Sequence, residues 1–247
     1  MILMYHHISP RTAFPDNPDP SEGWQFAHSP EGFERHLREL DRRGWRFLSL
    51  PDMVRIIRET GQEPSKAVAI TFDDGWRDNY DHALPLLLKL GRTATFFLTT
   101  DHFHRGVEEA KKMSAAQVRD LVGAGMTVGG HTRTHPDLTR IPEGQAQEEI
   151  EGCKADLEGL LGRPVTCFAY TGGAFNRRVA ELTRCAGYQA ACSVLGPADN
   201  DRSSPFWMFR DLITEGMHRP ADRYRLSPLA RRLLAWRVRR KLRRKLT

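Results

Sequence analysis

Short apolar runs alternate with segments of helical periodicity along most of the chain. Apolar residues three or four positions apart, as at Phe33, Leu37 and Leu40, predict the buried face of a helix, whereas short runs of small and β-branched residues predict buried strands. Four prolines and the lack of a regular period predict a long loop over residues 9–29. Strands are predicted at residues 1–7, 45–48, 67–72, 93–98, 126–130, 165–170, 188–194 and 208–213, and helices at residues 30–43, 50–59, 79–89, 114–122, 143–161 and 175–185.

This alternation predicts a protein of the α/β class with a parallel sheet. With seven or eight parallel strands in 247 residues, closure into a (β/α) barrel is favoured over an open sheet. Neither a Gly-x-Gly-x-x-Gly sequence nor a phosphate-binding loop is found, which removes the common nucleotide-binding alternatives. The predicted domains are a barrel over residues 1–220 and a basic amphipathic C-terminal tail, expected to be a helix, over residues 221–247.

The positive charge of the chain is concentrated in that tail. The formal net charge of +6 by itself fits a nucleic-acid, membrane-surface or acidic-glycan partner. Nine basic residues and no acidic residue lie between Arg231 and Leu246, so the rest of the chain carries a net charge of −3. Leucines and Trp236 interleave with these charges, which fits either a solvated basic helix or peripheral contact with anionic lipid. Nucleic acid is not a predicted partner, because the body of the chain has no basic, aromatic-rich segment.

Cysteine usage and the N-terminal sequence bear on the cellular compartment. The four cysteines show neither Cys-x-x-Cys spacing nor the density of a disulfide scaffold, which is typical of core thiols in a reducing compartment. The N-terminal run has no basic leader followed by a long apolar segment, and no apolar run reaches about 18 residues. We therefore expect a cytoplasmic protein, held peripherally at the inner membrane face if the tail contacts lipid.

Two adjacent carboxylates follow the predicted strand at residues 67–72. Asp73 and Asp74 repel each other and lose hydration at a strand end, so a bound ion or a proton is expected to stabilise them. Asp-Asp-Gly is also favourable turn chemistry, so a polar turn that caps a helix is the alternative interpretation.

A pair of histidines follows another predicted strand. His131 and His135 are four residues apart, which on a helical turn would put both imidazoles within reach of one ion. Two surface histidines near a turn are the alternative. Because the carboxyl ends of parallel strands face a common mouth, the two pairs are expected to converge there. Three protein ligands would leave an open position for water, as in hydrolytic rather than structural metal sites.

Both stretches resemble the first two signature motifs of the polysaccharide deacetylases, metal-dependent carbohydrate esterases related to chitooligosaccharide deacetylase. The matching sequences are T-F-D-D-G at residues 71–75 and H-T-R-T-H at residues 131–135, in the order that the family has them. The opening M-Y-H-H-I and the segment from Phe33 to Leu50 also resemble the exopolysaccharide-modifying branch. The resemblance covers roughly residues 1–215 and implies a distorted (β/α) barrel.

The resemblance implies a role for each residue of these two motifs. Asp74, His131 and His135 would bind one divalent ion, usually zinc, with nickel, cobalt, manganese or iron as alternatives. Asp73 would be the general base for the attacking water. These roles are consistent with the hydrolysis of an amide, because a divalent ion polarises the amide carbonyl and lowers the pKa of water to about 7.

The third motif of the family is altered in this chain. The family pattern is Arg-x-Pro-Tyr-Gly, and the matching positions read Ala169, Tyr170, Thr171, Gly172 and Gly173. Arg210, from a later predicted strand, is the candidate to orient Asp73, with a purely structural salt bridge as the alternative. The backbone N–H of Gly172 would stabilise the oxyanion.

The general-acid histidine of the family is not identifiable here. His218 is the only histidine after His135, and no family spacing supports it. His6 or His7, at the end of the first predicted strand, is placed to line the same mouth. Three aromatic residues adjoin the motif loops and would either stack on a sugar ring or pack in the core: Trp76, Tyr170 and Phe175.

The resemblance, together with these observations, implies a metal-dependent hydrolytic deacetylase. It would remove an N-acetyl or related acyl group from an amino sugar of a bacterial surface polysaccharide or its lipid-linked precursor, so its partner would be an amino-sugar glycan or glycolipid. The altered third motif and the unassigned acid leave a catalytically weak carbohydrate-binding or scaffold member of a polysaccharide-assembly system as the alternative. A hydrolase for a non-sugar amide, with the same metal chemistry, is a second alternative.

Overall fold

The computed structural model describes residues 1–16, 19, 22–104, 111–194, 200–202 and 205–214. Its strands are β1 (Ile2–Tyr5), β2 (Arg46–Phe47), β3 (Ala67–Phe72), β4 (Thr95–Leu98), β5 (Thr127–Gly130), β6 (Cys167–Ala169), β7 (Ala190–Cys192) and β8 (Asp211–Leu212). Its α-helices are α1 (Pro30–Arg42), α2 (Leu50–Thr60), α3 (Leu84–Lys89), α4 (Asp101–His104), α5 (Ala115–Gly123), α6 (Glu143–Leu161) and α7 (Arg177–Cys185). The predicted basic C-terminal helix, the predicted domain boundary at residue 220 and His218 lie outside the described residues.

The strands form one parallel sheet. Their order is β7-β6-β5-β4-β3-β1-β8, and β2 pairs with β3 beside this path. The register places Ile2 of β1 opposite Ala69 of β3. The two ends of the sheet approach each other through a parallel bridge between Cys192, at the end of β7, and Met208, just before β8. The sheet therefore curls into a distorted barrel surrounded by helices, which confirms the predicted fold class.

Burial explains why this sequence forms these strands and helices. Every residue of β3 is buried, as expected for a strand covered on both faces of a parallel sheet. Helix α1 turns Phe33, Leu37 and Leu40 into the core, and its first turn is capped by Ser29, whose hydroxyl accepts a hydrogen bond from the Gly32 N–H at 3.1 Å. The apolar packing thus fixes where each strand ends, and the polar motif residues follow at those ends.

Two glycines allow β5 to pass between bulky neighbours. A Cβ atom at Gly129 would lie 2.5 Å from Cδ1 of Phe97 and 2.9 Å from the carbonyl oxygen of Cys167. A Cβ atom at Gly130 would overlap the hydroxyl of Tyr188. Only glycine fits at these two positions without displacement of the neighbours. Strand β5 leads directly into residues 131–135, here called the histidine loop.

The structure also differs from the predicted elements in small ways. Residues Asn79–Ala83 form a π-helical turn before α3, and α7 begins at Arg177 rather than at residue 175 because Asn176 caps it. Helix α4 follows β4 where no helix was predicted. Among the helices in the described part of the chain, none has the length and apolarity needed to cross a membrane.

Candidate active site

The loops that follow β3 and β5 meet at one edge of the barrel. Asp73 and Asp74 come directly after β3, and His131 comes directly after β5. Arg210 lies one residue before β8, and its completely buried side chain extends through the barrel interior to the same place. Residues from distant parts of the chain are therefore gathered at one mouth.

Asp74, His131 and His135 form a compact set of donor atoms. The Nε2 atoms of both histidines lie 3.2 Å from Oδ1 of Asp74. One donor atom from each of the three residues lies within 4.8 Å of the other two. Asp74 and His131 are buried, whereas the side chain of His135 is 42% exposed, so the set opens to solvent on the His135 side. Two imidazole nitrogens and one carboxylate oxygen suit zinc and related divalent ions.

Left-handed backbone conformations shape both loops. The φ angle is 72° at Asp74, 67° at Thr132 and 66° at His135. Residues other than glycine rarely adopt this region, at a cost of about 1–3 kcal/mol each, and such strain is concentrated at functional sites. The prediction of a helical turn for the histidine pair was wrong, because residues 131–135 form a loop. The left-handed residues, rather than helical periodicity, bring the two imidazole rings to a centroid distance of 5.1 Å.

Neighbouring groups fix the orientation of the donor set. Nδ1 of His131 donates to the backbone oxygen of Ala169 at 2.8 Å, so that in the neutral ring the lone pair is on Nε2, facing Asp74. The indole N–H of Trp76 donates to Oδ2 of Asp74 at 3.0 Å. Burial raises the pKa of the Asp74 carboxyl, but the adjacent imidazole rings of the two histidines lower it, and the net pKa lies well below its usual value. Asp74 is therefore an anion at neutral pH.

Lys112 supports the Asp74 loop from a separate segment. Its Nζ donates to the backbone oxygen of Asp74 at 2.8 Å and lies 3.3 Å from the centroid of the Trp76 ring. Trp76 also stacks on His7 at 4.5 Å and is only 7% exposed, so the sugar stacking considered for Trp76 is not supported. Sequence reasoning missed Lys112, because it belongs to no motif and pairs with Trp76 through an isolated antiparallel bridge.

Asp73 and Arg210 form a buried, bidentate ion pair. Nη1 and Nη2 of Arg210 lie 2.6 and 2.7 Å from the two carboxylate oxygens of Asp73, and Nη1 also lies 3.2 Å from the hydroxyl of Thr71. Burial raises the pKa of Asp73, but the positive charge of Arg210 lowers it, and the net pKa lies below its usual value. Asp73 is thus an oriented carboxylate that lies beside the donor set without belonging to it.

The residues of the altered third motif lie in different environments. Gly172 is exposed in a short 3-10 turn, with a φ of 57°. Tyr170, in contrast, is completely buried, and its hydroxyl donates to the backbone oxygen of Phe206 at 2.8 Å. Its ring stacks on the partly buried Phe175 at 5.2 Å. The predicted substrate contact of Tyr170 is therefore corrected: its side chain is part of the core.

His7 is held in a network of its own. Its Nδ1 lies 2.6 Å from Oδ2 of Asp78, and its Nε2 lies 2.9 Å from the backbone oxygen of Glu22. Its ring stacks nearly parallel on Trp24 at 3.9 Å. Both nitrogens are therefore engaged, and His7 is not placed to exchange protons with a substrate.

His6 lies nearer to the acids. Its Nδ1 is buried and has no hydrogen-bond partner within the described part of the chain. Burial lowers the pKa of His6, while the negative charges of Asp74 and Asp73 oppose this shift. Of the two histidines that follow β1, His6 is the one coupled to the candidate site.

Known proteins share this arrangement of sequence and fold. The polysaccharide deacetylase family matches residues 60–191, slightly more than half of the chain. The YxkH protein of Bacillus subtilis, whose name places it among the polysaccharide deacetylases, is 26% identical over 219 residues, which cover 87% of this chain and 72% of that protein. The poly-β-1,6-N-acetyl-D-glucosamine N-deacetylase of Staphylococcus epidermidis is 28% identical over 131 residues, which cover 53% of this chain and 44% of that protein.

The three-dimensional fold is shared as well. The structure of IcaB from Ammonifex degensii superimposes with a TM-score of 0.75 at 25% identity, covering 90% of this chain and 94% of that one. The family match includes Asp73, Asp74, His131 and His135, whereas His6 and Arg210 lie outside it. The chain therefore belongs to the polysaccharide deacetylase family, hydrolases that act on amide bonds of carbohydrates.

Proposed function

We propose that this protein is a metal-dependent N-deacetylase acting on an amino sugar of a bacterial surface polysaccharide or its lipid-linked precursor. The observation that carries the proposal is the placement of two adjacent carboxylates in different environments. Asp74 faces His131 and His135 at 3.2 Å, while Asp73 is turned away onto Arg210. One carboxylate is thus available to a cation and the other to a proton.

The donor set fits a divalent cation. Asp74 is anionic, and the hydrogen bond from Nδ1 of His131 to Ala169 directs the Nε2 lone pair inwards. Asp74, His131 and His135 would hold the ion and leave coordination positions open towards solvent. When bound, such an ion supplies positive charge that polarises an amide carbonyl and lowers the pKa of water.

The remaining residues have roles that follow from their own geometry. Arg210 holds Asp73 ionised and in one orientation, so that Asp73 can accept the proton of an attacking water. Gly172 is an exposed residue of the 3-10 turn, and its backbone N–H would donate to the oxyanion. Burial lowers the pKa of His6, and His6 would relay the proton taken up by Asp73 to the leaving amine nitrogen.

The substrate class is supported by the relatives. The staphylococcal protein is named as an N-deacetylase of poly-β-1,6-N-acetyl-D-glucosamine, and another relative, 26% identical over 130 residues, is named as a peptidoglycan-N-acetylmuramic acid deacetylase of Bacillus subtilis. Both names contain an N-acetylated amino sugar in a bacterial glycan. We infer the same class of bond for this chain.

The test is acetate release from N-acetylated amino-sugar oligomers by wild type and by Asp73→Asn. Loss of the general base predicts a decrease in kcat of about 10²–10⁴-fold, with metal content unchanged because Asp73 is not a ligand. Asp81→Asn is the matched control, since Asp81 is exposed and pairs only with Arg77 at the surface among its described ion-pair partners. Its rate should equal that of wild type.

The same experiment separates the alternatives. Full metal occupancy without acetate release from any N-acetylated glycan would favour the carbohydrate-binding scaffold. Retention of the ion by a variant with both His131→Ala and His135→Ala would refute the ligand assignment itself.

We also propose that residues 227–247 bind an anionic lipid surface and keep the enzyme near a lipid-linked substrate. The sequence of this segment, with basic residues interleaved with leucines and Trp236, supports the proposal. Flotation with phosphatidylglycerol-containing vesicles should be strong for the full chain and weak for a chain that lacks residues 227–247. Equal flotation of the two would reject this role.

A further inference from the structure

Helix α6 carries a buried carboxylate that none of the roles above uses. Glu149 is only 7% exposed, although it lies in the middle of an amphipathic helix whose other acidic residues mostly face solvent. A buried carboxylate is retained only where several donors satisfy it. Its surroundings therefore indicate what it does.

Within the described part of the chain, the three donors that contact Glu149 come from the loop between the two histidines. Oε2 accepts from the backbone N–H of Arg133 at 2.8 Å and from that of Thr134 at 2.9 Å. Oε1 accepts from the hydroxyl of Thr134 at 2.5 Å. The carboxylate thus binds the two residues in the middle of the histidine loop.

The same loop contains two residues in strained conformations. Thr132 and His135 have φ angles of 67° and 66°, and the Thr132 hydroxyl accepts from the His135 N–H at 3.0 Å. Such conformations persist only when the surroundings determine them. The hydrogen bonds from Arg133 and Thr134 to Glu149 lie between these two strained residues and hold the backbone there.

A second contact on the same face of α6 has the same effect. Asp156, two turns further along, accepts from Nε and Nη2 of Arg133 at 2.9 and 3.0 Å. Gly152 lies between Glu149 and Asp156 on the helix, and a Cβ atom there would lie 2.7 Å from Nε of Arg133. The glycine therefore makes room for the arginine to lie across the helix, which explains its presence in a helix interior.

We propose that Glu149 is a positioning residue that sets the distance and orientation of His131 and His135 for the ion. This role rests on the proposed function, because it presupposes that the two histidines bind a cation. Glu149 touches neither the ion nor the substrate. It acts through the backbone of residues 133 and 134, and the face of α6 formed by Glu149, Gly152 and Asp156 serves as the base of the histidine loop.

The test compares zinc binding by purified wild type, Glu149→Ala and Glu149→Gln, measured by competition with a chromophoric chelator. Removal of the carboxylate should raise the zinc dissociation constant by about 10–100-fold, as for other outer-sphere supports of metal ligands. Glutamine should restore binding to near the wild-type value, because its carbonyl can accept from both N–H groups and its amide can donate to the Thr134 hydroxyl. Glu151→Ala, at an exposed position on the same helix, is the matched control and should bind as wild type does.

The visible absorption of cobalt-substituted protein distinguishes positioning from general stability. Glu149→Ala should alter the cobalt bands, which report ligand geometry, whereas Glu151→Ala should not. Wild-type affinity and wild-type cobalt bands in Glu149→Ala would overturn the role. Failure of the wild-type protein to bind zinc or cobalt would instead overturn the proposed function, and the role of Glu149 with it.

If Glu149→Ala does not fold, Thr134→Val and Thr134→Ser provide the same comparison from the other side of the contact. Valine removes the hydroxyl donor and should weaken zinc binding, whereas serine keeps the donor and should not. Equal zinc affinity in these two variants would overturn the role.

Discussion

Asp73 and Arg210 show how far apart in the chain the groups of one site can lie. They are 137 positions apart, yet their side chains meet in a bidentate contact inside the barrel. Removal of one partner from a buried ion pair costs about 3–5 kcal/mol, because the other charge is left uncompensated. The pair therefore couples the proposed reactivity of Asp73 to the stability of the fold.

Replacement of Arg210 by lysine should lower both stability and activity. Lysine keeps the charge but cannot donate to both oxygens of Asp73 in the planar, forked geometry of a guanidinium. Loss of one charge-assisted hydrogen bond predicts a decrease of about 1.5–3 kcal/mol in the free energy of unfolding. Urea denaturation measures this decrease, and the rate of acetate release should fall in parallel because Asp73 loses its fixed orientation.

Arg55→Lys is the control for this substitution. Arg55 is 58% exposed and pairs with Glu59, so its replacement should change the free energy of unfolding by less than about 0.5 kcal/mol. Denaturation curves of Arg210→Lys and Arg55→Lys that superimpose would contradict the importance of the buried pair.

Residue type and position at strand ends were sufficient to predict that an aspartate pair and a histidine pair converge, whereas the choice of Asp74 over Asp73 as the ligand came from the family resemblance. The pairs Asp73-Asp74 and His131-x-x-x-His135 are local patterns, and parallel strands bring their ends to one edge. The contact between Lys112 and Asp74, 38 positions apart, was not predictable, because it depends on how the intervening segments pack. The burial of Tyr170 was missed for the same reason: its position in sequence adjoins the mouth, but its side chain packs into the core.

At the level of elements, β5 and α6 together hold the histidine loop. Strand β5 enters the loop through two glycines, and α6 contacts its middle through Glu149. The glycines have a steric reason, since Phe97 and Tyr188 occupy the space of the missing side chains. Strand β5 should therefore be sensitive to substitutions that change neither charge nor polarity.

Gly129→Ala should destabilise the protein. The added Cβ would lie 2.5 Å from the Phe97 ring and 2.9 Å from the backbone oxygen of Cys167, and overpacking of this kind costs about 1–3 kcal/mol. Thermal or chemical denaturation measures the loss. Gly159→Ala on α6 is the matched control: nothing lies within 4 Å of its added Cβ, so it should stabilise the helix by up to about 1 kcal/mol. Equal stabilities of the two variants would refute the steric explanation.

A glutamate in the last turn of α6 should make the stability of the protein depend on pH. Glu158 accepts from Nζ of Lys154 at 2.5 Å and from the N–H of Val165 at 2.8 Å. Burial raises the pKa of Glu158, but these two hydrogen bonds lower it, and the net pKa lies below the usual 4.5. Because the pKa is lower in the folded state, the stabilisation is present above the unfolded-state pKa and is lost as the pH falls through the folded-state pKa.

Glu158→Gln should therefore be less stable than wild type at pH 7, by no more than about 1 kcal/mol because Glu158 is partly exposed. The difference should shrink as the pH falls below 4.5, where wild type loses the same charge. Urea denaturation of both proteins across this pH range measures it. A difference in the free energy of unfolding that does not change with pH would contradict the stabilising role of the Glu158 charge.

For the whole molecule, the alternation of helices and strands was enough to predict a parallel α/β barrel. The manner of its closure was not predictable. The short β8 has two residues, and the segment just before it joins the other end of the sheet through a bridge between Met208 and Cys192. Pairings this short depend on long-range packing rather than on a local hydrophobic pattern.

Zinc should stabilise the whole protein through the proposed donor set. At a free zinc concentration of 100 times the dissociation constant, the expected gain is about 2.7 kcal/mol. Thermal unfolding with and without a chelator measures the gain. The variant with both His131→Ala and His135→Ala should show no zinc-dependent shift, and a shift equal to that of wild type would contradict the ligand assignment.

The position of Arg210 in the chain also sets an order of events during synthesis. Arg210 leaves the ribosome after every other charged residue of the site, so Asp73 emerges long before its partner. Until then the barrel cannot close around Asp73 without burying an unpaired carboxylate, and the edge strand β1 lacks its neighbour β8. Arg210 and the strand that follows it therefore supply both the countercharge for Asp73 and the neighbour of β1, and a chain that stops before Arg210 lacks both.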